Sequence, residues 1–545
     1  MEMHFATVWE SIADLIGDDT AIVHGDTRRT WHEFDERSAR VAAAYVAAGL
    51  RPDSKIALFL YNGNEYLEAQ FGAFKMRGVP INVNYRYLDE ELWYLLDNSD
   101  AEAIVFHASL GDRVARVAPR LPKLRLLIEV GDDGERGQVA GAAEYDAVIT
   151  GYEPMPRIER AEDDIYMLYT GGTTGMPKGV MYAMGGMTAS FIESAFPLLG
   201  VTPPTEADAV APLVRDAIAA GNRIVSIPCA PLMHGTGVWL GAFMPQLAGG
   251  TVLTLTNRSL DADELLRTIA AERVTNITIV GDAFAKPIIA AIDQAATAGS
   301  PYDTSSLKLI ISSGVMWTAE VKEQLLDRIG QVMLIDAMGS TEGSMGLSVS
   351  MRGLPPSTAK FSQMPTTKVF TEDGRPVAPG SGEIGLLAAG GNVPIGYFKD
   401  PEKSARTFKV IDGVRYSFPG DLATVNADGS LNLLGRGSQV INSGGEKVFP
   451  EEVEEAVKRV DGVLDCVVVG IDDARFGQAV TAVVSRVDAR PVDEATIIAG
   501  VKAQLAGYKA PKRVVFVAQV PRGPNGKADY VAAKAYALAP SRLAP

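Results

Sequence analysis

The chain has 545 residues, of which 47% are hydrophobic and 22% charged, and its formal net charge at pH 7 is -16. This composition excludes a disordered chain, and the length predicts two or more domains, because a single hydrophobic core stops growing at roughly 250–300 residues. The acidic balance argues against a nucleic-acid partner, which requires a dense basic surface, so an anionic ligand would have to be held by local donors.

The amino-terminal segment, MEMHFATVWESIADLIGDD, has acidic residues and no basic stretch ahead of an apolar core. It therefore predicts no secretory signal, and we expect the mature chain to begin here. The two cysteines, Cys229 and Cys466, are far apart and show no metal-ligand spacing. Unpaired thiols are typical of a reducing compartment, so the expected location is the cytoplasm.

Short apolar runs alternate with amphipathic helical patterns over most of the chain. KIALFL (55–60) precedes a helical pattern at 65–78, and further apolar runs lie at 276–280, 307–311 and 332–339. Strands that alternate with helices predict crossover units and mainly parallel sheets with both faces covered. The predicted fold class is α/β, with a large amino-terminal domain of mainly parallel sheets flanked by helices.

A segment without Asp, Glu, Lys or Arg runs from Ile224 to Asn257 and is long enough to span a bilayer. Prolines and glycines interrupt it, and a lipid-facing helix would leave backbone groups unpaired at these breaks. We therefore predict no transmembrane segment, and instead buried strands and loops beside a ligand pocket. Just before it, Thr205 and Asp208 have capping-box spacing, which predicts an inserted surface helix within 200–222 over a substrate entrance.

The character of the sequence changes twice toward the carboxyl end. From Gly382 onward, short strands separated by turn residues predict a small β-rich subdomain. After a Gly- and Ser-rich segment at 435–438, helices and strands with their own apolar faces predict a second, α+β domain. We predict domains at 1–436 and 437–545, joined by a hinge that makes the smaller domain mobile.

The segment YTGGTTGMPKGV (169–180) predicts a phosphate-binding loop. Its glycines free backbone N–H groups, and its threonines and lysine add hydroxyl and ammonium donors. The predicted phosphate-binding residues are Thr170, Gly171, Gly172, Thr173, Thr174, Gly175 and Lys178. The ending of a Walker loop is absent, because Pro177 precedes the lysine and Gly179 follows it. The loop therefore belongs to another class, and a simple ATPase is disfavoured.

This loop resembles the signature of the adenylate-forming superfamily, which comprises acyl-CoA synthetases, luciferases and the adenylation domains of peptide synthetases. Further motifs follow in the family's order, so the resemblance covers nearly the whole chain. They are PLMHGTG (231–237), MGSTEG (338–343), GYFKDPEKSARTF (396–408), YSFPGD (416–421), GRGSQVINSGGEKVFPEEVE (435–454) and NGK (525–527). The residues within these motifs are most similar to those of bacterial CoA ligases for fatty or bulky acids.

The resemblance implies that a carboxylate attacks the α-phosphate of ATP and that CoA then takes the acyl group. ATP, Mg²⁺ and CoA are therefore the expected cofactors and cosubstrates. The first step brings two anions together, and cations placed where charge develops offset their repulsion. By resemblance, Lys527 bridges carboxylate and phosphate, and Glu342 holds Mg²⁺. Thr341 is expected to bond the α-phosphate, next to Gly339 and Ser340.

Other nucleotide contacts are implied in the same way. Asp421 is expected to accept hydrogen bonds from both ribose hydroxyls, with Arg436 as its companion. Met338 stands where an aromatic residue commonly stacks on adenine. His234 falls at the junction of the acyl and phosphate sites, where we expect it to position the reactants.

The second step implies a rotation of the carboxyl-terminal domain that withdraws Lys527 and brings the NSGGEK segment to the site. Gly444 and Gly445 would then let a pantetheine arm pass close to the backbone. Gln439 replaces the family's usual hinge acid and Asn442 a common lysine, which predicts a differently tuned rotation. Three cationic residues of this domain fit two roles equally, as contacts to the CoA phosphates or as solvated surface charges: Arg475, Lys509 and Lys512.

The acyl pocket is predicted to be apolar, with small residues that leave room and methionines that adapt. The residues expected to line it are Trp239, Phe243, Phe284, Ser313, Gly314 and Met338. Amino-acid-activating relatives carry an aspartate soon after the histidine motif, and residues 235–244 contain none. The expected substrate is a carboxylic acid without an amino group, fatty or bulky and apolar, steroid side chains included.

Two alternatives to an acid–CoA ligase stay open. One is an acyl-AMP ligase that passes its product to a carrier protein. The other is a non-catalytic binder of acyl-adenylates, which the retention of Lys527, Glu342 and Asp421 disfavours. The sequence also leaves the oligomeric state open, with a homodimer as one option.

Overall fold

The structure is a computed structural model that describes residues 1–132, 139–172, 175–315, 317–443, 446–473, 477–487, 490–523 and 526–539. For Arg436, Ser438 and Lys447 it describes the backbone alone. The sequence predictions that fall outside the described residues concern Thr173, Thr174, Gly444, Gly445 and Arg475.

Strands and helices alternate through the first 340 residues. They are α1 Phe5–Ile16, β1 Thr20–His24, β2 Thr27–Thr30, α2 Trp31–Ala47, β3 Lys55–Phe59, α3 Asn64–Lys75, β4 Val79–Asn82, α4 Asp89–Asn98, β5 Ala101–His107, α5 Gly111–Val117, β6 Leu126–Val130, β7 Ala143–Glu144, α6 Tyr145–Gly151, β8 Ile165–Gly172, β9 Gly175–Ala183, α7 Met184–Ala195, α8 Val210–Ala219, β10 Val225–Pro228, α9 Met244–Leu247, β11 Thr251–Thr254, α10 Ala262–Glu272, β12 Asn276–Ile279, α11 Gly281–Thr297, β13 Leu309–Ser313, α12 Ala319–Arg328 and β14 Met333–Ser340. Local signals fix several helix starts, such as the capping box between Thr30 and Glu33 before α2.

Two sets of parallel strands form the framework. One sheet has the order β4-β3-β5-β6-β7, with every neighbouring pair parallel. The strands β1-β11-β10-β12-β13-β14 form a second parallel run within a larger sheet. Strand β3 is buried along its whole length, as a strand covered on both faces should be. The α/β prediction is confirmed.

The next part of the chain is rich in antiparallel strands. Its elements are β15 Gly343–Ser350, β16 Lys360–Gln363, β17 Thr367–Phe370, β18 Gly385–Ala389, β19 Gly396–Tyr397, α13 Pro401–Thr407, β20 Phe408–Ile411, β21 Val414–Ser417, β22 Asp421–Val425 and β23 Leu431–Arg436. The predicted β-rich region is therefore present, but it begins before Gly382. It also continues the second parallel run, because β14, β15, β16, β23 and β22 are hydrogen-bonded in sequence.

The uncharged segment contains a helix that the sequence did not predict. Between β10 and β11, residues Thr236–Phe243 form a π-helix that runs directly into α9. Its glycines allow close packing, since a Cβ on Gly237 would lie 2.3 Å from the Pro231 carbonyl oxygen. Read in the sequence, the same glycines indicate breaks, so the expectation of strands and loops alone was wrong. Among the described residues, no helix has the length and apolar character needed to cross a membrane.

The inserted helix is present as α8, and it packs against α1. It begins later than the capping-box spacing of Thr205 and Asp208 predicts, because a short 3₁₀ turn at Ala207–Ala209 precedes it. The apolar residues Val210 and Val214 are buried. The segment is therefore anchored to the amino-terminal helix of the chain.

Residues 441–539, here called the carboxyl-terminal unit, form a separate sheet with helices. The elements are β24 Ile441–Ser443, β25 Glu446–Val448, α14 Pro450–Lys458, β26 Val463–Asp473, β27 Gly477–Arg486, α15 Glu494–Lys502, β28 Arg513–Phe516 and α16 Tyr530–Leu538. This unit has hydrophobic clusters of its own around Val468 and Val483. The domain boundary between 436 and 437 stays a prediction, and it falls where the chain leaves β23.

Candidate active site

A cleft of about 2230 Å³ separates the ends of β13 and β14 from the carboxyl-terminal unit. Three residues that line it come from the sequence motifs: Met338 near the end of β14, Asp421 on β22 and Lys527 in the carboxyl-terminal unit. Gly314, just after β13, also lines it. The carboxyl ends of parallel strands are the usual site of ligand binding in open α/β sheets. The cleft is therefore the candidate active site.

The MGSTEG motif forms the turn between β14 and β15. Ser340 pairs with Gly343 across the turn, which places Thr341 and Glu342 at its tip. The hydroxyl of Tyr182 donates to the Thr341 carbonyl at 3.0 Å, and the hydroxyl of Tyr397 donates to Glu342 Oε1 at 2.8 Å. Two tyrosines from neighbouring strands thus fix the position of the predicted phosphate and metal contacts.

The glycine loop is the end of the β8–β9 hairpin. Within it Thr170 pairs with Lys178, and Gly172 pairs with Gly175. Strand β19 adds to the outer side of this hairpin, with Tyr397 opposite Val180. The hairpin end therefore lies beside the tip that carries Glu342, as a shared phosphate site requires.

A buried amide connects the hairpin to the histidine motif. At the end of β4, Asn82 accepts from the backbone N–H of Tyr169 at 2.6 Å and donates to the Tyr169 carbonyl at 2.8 Å. The same amide donates to the Met233 carbonyl at 2.6 Å, one residue before His234. One side chain therefore sets the spacing between the phosphate hairpin and the histidine.

Two lysines meet beside Tyr397. Lys178 Nζ lies 5.7 Å and Lys403 Nζ 5.3 Å from the centre of the Tyr397 ring. Burial and the nearby Lys403 together lower the pKa of Lys178 to about 8, while Asp400 at 3.8 Å opposes the shift. Like charges held this close favour the arrival of an anion.

His234 and Lys527 lie close enough for the lysine charge to act on the imidazole. Burial lowers the pKa of His234 to about 4, helped by the positive charges of Lys527 and Arg86, so its imidazole is neutral at pH 7. Its Nε2 atom is enclosed and has no hydrogen-bond partner among the described residues. Lys527 passes over Gly314, where a Cβ would lie 3.7 Å from the lysine Cε. Their roles in the reaction stay predictions.

The predicted ribose contacts lie on neighbouring strands. Asp421 begins β22 and pairs in register with Arg436 at the end of β23. Since the pair is antiparallel, the two residues stand directly opposite each other. The structure therefore brings together the backbones of the acid and its predicted companion.

The predicted acyl-pocket residues are not all at the cleft. Gly314 and Met338 line it, whereas Trp239, Phe243, Phe284 and Ser313 are outside its described lining. Phe243 is fully buried against Phe5 and Trp9, which makes it a core residue in this structure. Trp239 is half-buried and its Nε1 donates to the hydroxyl of Tyr166 at 3.0 Å.

Of the other two predicted residues, Ser313 donates to the Ala337 carbonyl at 2.8 Å, and Phe284 packs against the core between β12 and α12. An apolar residue after the histidine motif can pack in a core as well as it can line an acyl pocket. Composition alone therefore did not distinguish a core residue from a pocket residue.

The predicted CoA cations gain no support here. Lys509 Nζ forms an ion pair with Glu452 at 2.7 Å, within the carboxyl-terminal unit. Lys512 lies beside β27, where its backbone N–H donates to the Val480 carbonyl at 2.7 Å. Their role toward CoA stays a prediction.

A magnesium ion fits the site only together with a nucleotide. The described residues contain no group of three or more His, Cys, Asp or Glu side chains able to hold a metal ion. Glu342 offers one carboxylate that is held in place by Tyr397. A single protein carboxylate suits Mg²⁺, which commonly binds through one or two carboxylates, phosphate oxygens and water.

The sequence analysis missed Asn82, Tyr182, Tyr397 and Lys403. Tyr397 and Lys403 lie inside the GYFKDPEKSARTF motif, so inspection of its polar residues would have found them. Asn82 and Tyr182 lie in apolar strands, and only the pairing of distant strands shows their contacts.

Comparison with known proteins agrees with this site. A family model described as AMP-binding enzyme matches residues 9–398, and one for the AMP-binding enzyme C-terminal domain matches residues 452–527. The medium-chain acyl-CoA ligase Mig of Mycobacterium avium is 39% identical over 541 residues, covering 96% of each chain. The 3-oxocholest-4-en-26-oate–CoA ligase of Rhodococcus rhodochrous is 37% identical over 552 residues, covering 98% of this chain and 96% of the relative.

Among solved structures, ATP-bound MatB from Rhodopseudomonas palustris superposes with a TM-score of 0.81 at 24% identity, covering 98% of this chain and 99% of that one. This likeness confirms the fold. The family models match most of the chain, and the predicted membership of the adenylate-forming superfamily is confirmed. The chain belongs to the AMP-binding enzyme family.

Proposed function

We propose that this protein is an ATP-dependent acid–CoA ligase that forms an acyl-adenylate and then a thioester, releasing diphosphate and AMP. The position of Lys527 carries the proposal, because its side chain passes Gly314 into the cleft, close enough for its charge to act on His234. An ammonium group at this place offsets the repulsion between the incoming carboxylate and the α-phosphate. The family membership and the names of the relatives support the same reaction.

In this proposal the nucleotide lies between the two tyrosine-fixed motifs and β22. Thr341 and the β8–β9 hairpin donate to phosphate oxygens, and Asp421 accepts from the ribose. Glu342 would hold Mg²⁺, which neutralises phosphate charge when bound. Neutral His234 adds no positive charge and offers its enclosed Nε2 as an acceptor or donor at the acyl junction.

For the second step we propose that the carboxyl-terminal unit turns about the predicted hinge at 435–438. Strand β23 ends at Arg436 in the large sheet, and β24 begins at Ile441 in the other sheet. A rotation within the few residues between these strands would let Lys527 leave the cleft and the segment after β24 approach it.

The acid is proposed to be fatty or bulky and apolar. Two relatives with near-complete coverage are named for a medium-chain acyl group and for a steroid acid. Met338 and Gly314 give the cleft an apolar, adaptable edge.

A panel of carboxylic acids, supplied with ATP, Mg²⁺ and CoA, tests the proposal. We expect acid-dependent release of AMP and diphosphate, with the highest kcat/KM among medium-chain, long-chain or steroid acids. Diphosphate release that ignores CoA would instead support an acyl-AMP ligase that serves a carrier protein. Inorganic phosphate released without any acid would contradict both.

The proposed pairing of Lys178 and Lys403 on the phosphates predicts a pH dependence. Lys178 is charged below its pKa of about 8, so ATP binding is expected to weaken as the pH rises through this value. Lys403→Met removes a neighbouring positive charge, which raises that pKa and moves the alkaline limb of kcat/KM for ATP to higher pH. At pH 7 the loss of one charged contact should raise the KM for ATP by roughly tenfold.

The exposed Lys368 provides the matched control, and Lys368→Met should leave both the profile and the KM unchanged. An alkaline limb that stays in place in Lys403→Met would show that Lys403 does not act on this site.

The cellular location and the oligomeric state complete the proposal. Cys229 and Cys466 are both free thiols, which supports a cytoplasmic location. A homodimer is retained from the sequence analysis as a proposal that light scattering of the purified protein tests.

A further inference from the structure

One contact between the two parts of the chain runs from a side chain of the amino-terminal part to the backbone of the carboxyl-terminal unit. Lys286 on α11 donates from its Nζ atom to the carbonyl oxygen of Leu464 at 3.1 Å. Both residues line the cleft. The contact therefore joins the two parts of the chain at the edge of the candidate active site.

The sheet is built so that this carbonyl is available. In the pairing of β26 with β27, Val463 is opposite Arg486 and Asp465 is opposite Ser485, so the register shifts at Leu464. A residue that the ladder skips in this way is a β-bulge, and its backbone groups turn out of the regular pairing. The bulge leaves Leu464 half-exposed and directs its carbonyl toward α11.

The bulge is connected to the loop that carries Lys527. Asp465, the next residue, accepts two hydrogen bonds from Arg522, from Nε at 2.6 Å and from Nη2 at 2.7 Å. The third nitrogen of the same guanidinium, Nη1, donates to the carbonyl of Gly526 at 3.0 Å. A displacement of β26 at the bulge therefore displaces the backbone next to Lys527.

Helix α11 also contacts the loop that carries Lys527. Gly526 lies against the start of α11, where a Cβ would be 3.3 Å from Val280 Cγ1 and 3.8 Å from Ala283 Cβ. Ala283 and Lys286 are three residues apart and share one face of the helix. The helix α11 thus holds the loop through Ala283 and the bulge through Lys286.

From this geometry we propose that Lys286 is a positioning residue that holds the carboxyl-terminal unit in the orientation for adenylate formation. The inference rests on the proposed function. The hydrogen bond exists only while Lys527 is in the cleft, and rotation for the thioester step must break it. A contact present in one of two states shifts the population toward that state, so Lys286 favours the first half-reaction alone.

Lys286→Met keeps the length of the side chain and removes the donor. We expect acid-dependent ATP/diphosphate exchange to fall about three- to tenfold, the range for one hydrogen bond. Thioester formation from supplied acyl-adenylate should be unchanged or faster, and Lys286→Arg should restore exchange. Lys308→Met, at an exposed lysine of the same domain, is the control and should change neither half-reaction.

A second measurement does not depend on the reaction. In a variant with Ala283→Cys and Gly526→Cys the two Cβ positions lie within disulfide range. The positive φ of residue 526 strains a cysteine there, and because all the compared variants share this strain, the ratio of their cross-linking rates reports how often the units are together. Adding Lys286→Met should slow cross-linking about three- to tenfold, and adding Lys308→Met should not.

Equal cross-linking rates, or an equal loss in both half-reactions, would overturn the role of Lys286. If no acid supports exchange by the unsubstituted protein, the proposed function fails, and the cross-linking rates still decide the role of Lys286 in domain orientation.

Discussion

Lys527→Ala is expected to lose acid-dependent ATP/diphosphate exchange by about 10²-fold or more, the effect of removing one preorganised electrostatic donor. The side chain lies over Gly314 in the cleft, where it faces His234. Thioester formation from supplied acyl-adenylate should be retained, because that step follows the withdrawal of Lys527. Exchange of labelled diphosphate and single-turnover thioester assays measure the two steps.

The exposed Lys534 on α16 provides the control, and Lys534→Ala should leave both half-reactions intact. A loss of both steps in Lys527→Ala, with unchanged folding by circular dichroism, would contradict the division of labour between the two orientations.

Glu342→Gln is the second substitution with a large expected effect. The amide keeps the shape of the side chain and can still accept the hydrogen bond from Tyr397, but it has no charge for Mg²⁺. We expect exchange to fall by about 10²-fold, comparable to other losses of a single electrostatic contact at a reacting centre. Raising the Mg²⁺ concentration should recover part of the activity, which a titration of rate against Mg²⁺ measures.

Two further variants define the cause. Tyr397→Phe removes the hydrogen bond that orients Glu342 and should lower exchange by about tenfold, the lower limit for the loss of an outer partner of a metal ligand. Glu320→Gln, at an exposed acid at the start of α12, should have no effect. A Glu342→Gln enzyme whose rate does not respond to Mg²⁺ would place the metal elsewhere.

The sequence was most informative where a local pattern decides the structure. Strands β3, β12 and β13 and helix α3 lie close to their predicted positions, because a buried apolar run or a 3.6-residue period is sufficient to define them. The motifs also led to the prediction that Glu342, Lys178 and Lys527 act at the phosphate site, and these roles stay predictions.

The parts that the sequence could not predict depend on contacts between distant segments. Asn82 connects Tyr169 to Met233 across three separate stretches of chain, and no local pattern indicates such a link. The helix at 236–247 was missed because its glycines serve close packing rather than chain breaks. Phe243 was assigned to the acyl pocket because apolar side chains have the same composition in a core and in a pocket.

The unbroken ladder from β14 to β22 has a mechanical consequence. Backbone hydrogen bonds join β14 to β22 through β15, β16 and β23, so the turn that carries Glu342 and the start of β22 at Asp421 belong to one sheet. The adenylate can stay bound to this one sheet through both chemical steps. Between the two steps, only the groups that the carboxyl-terminal unit brings to the adenylate need to change, from Lys527 to the segment after β24.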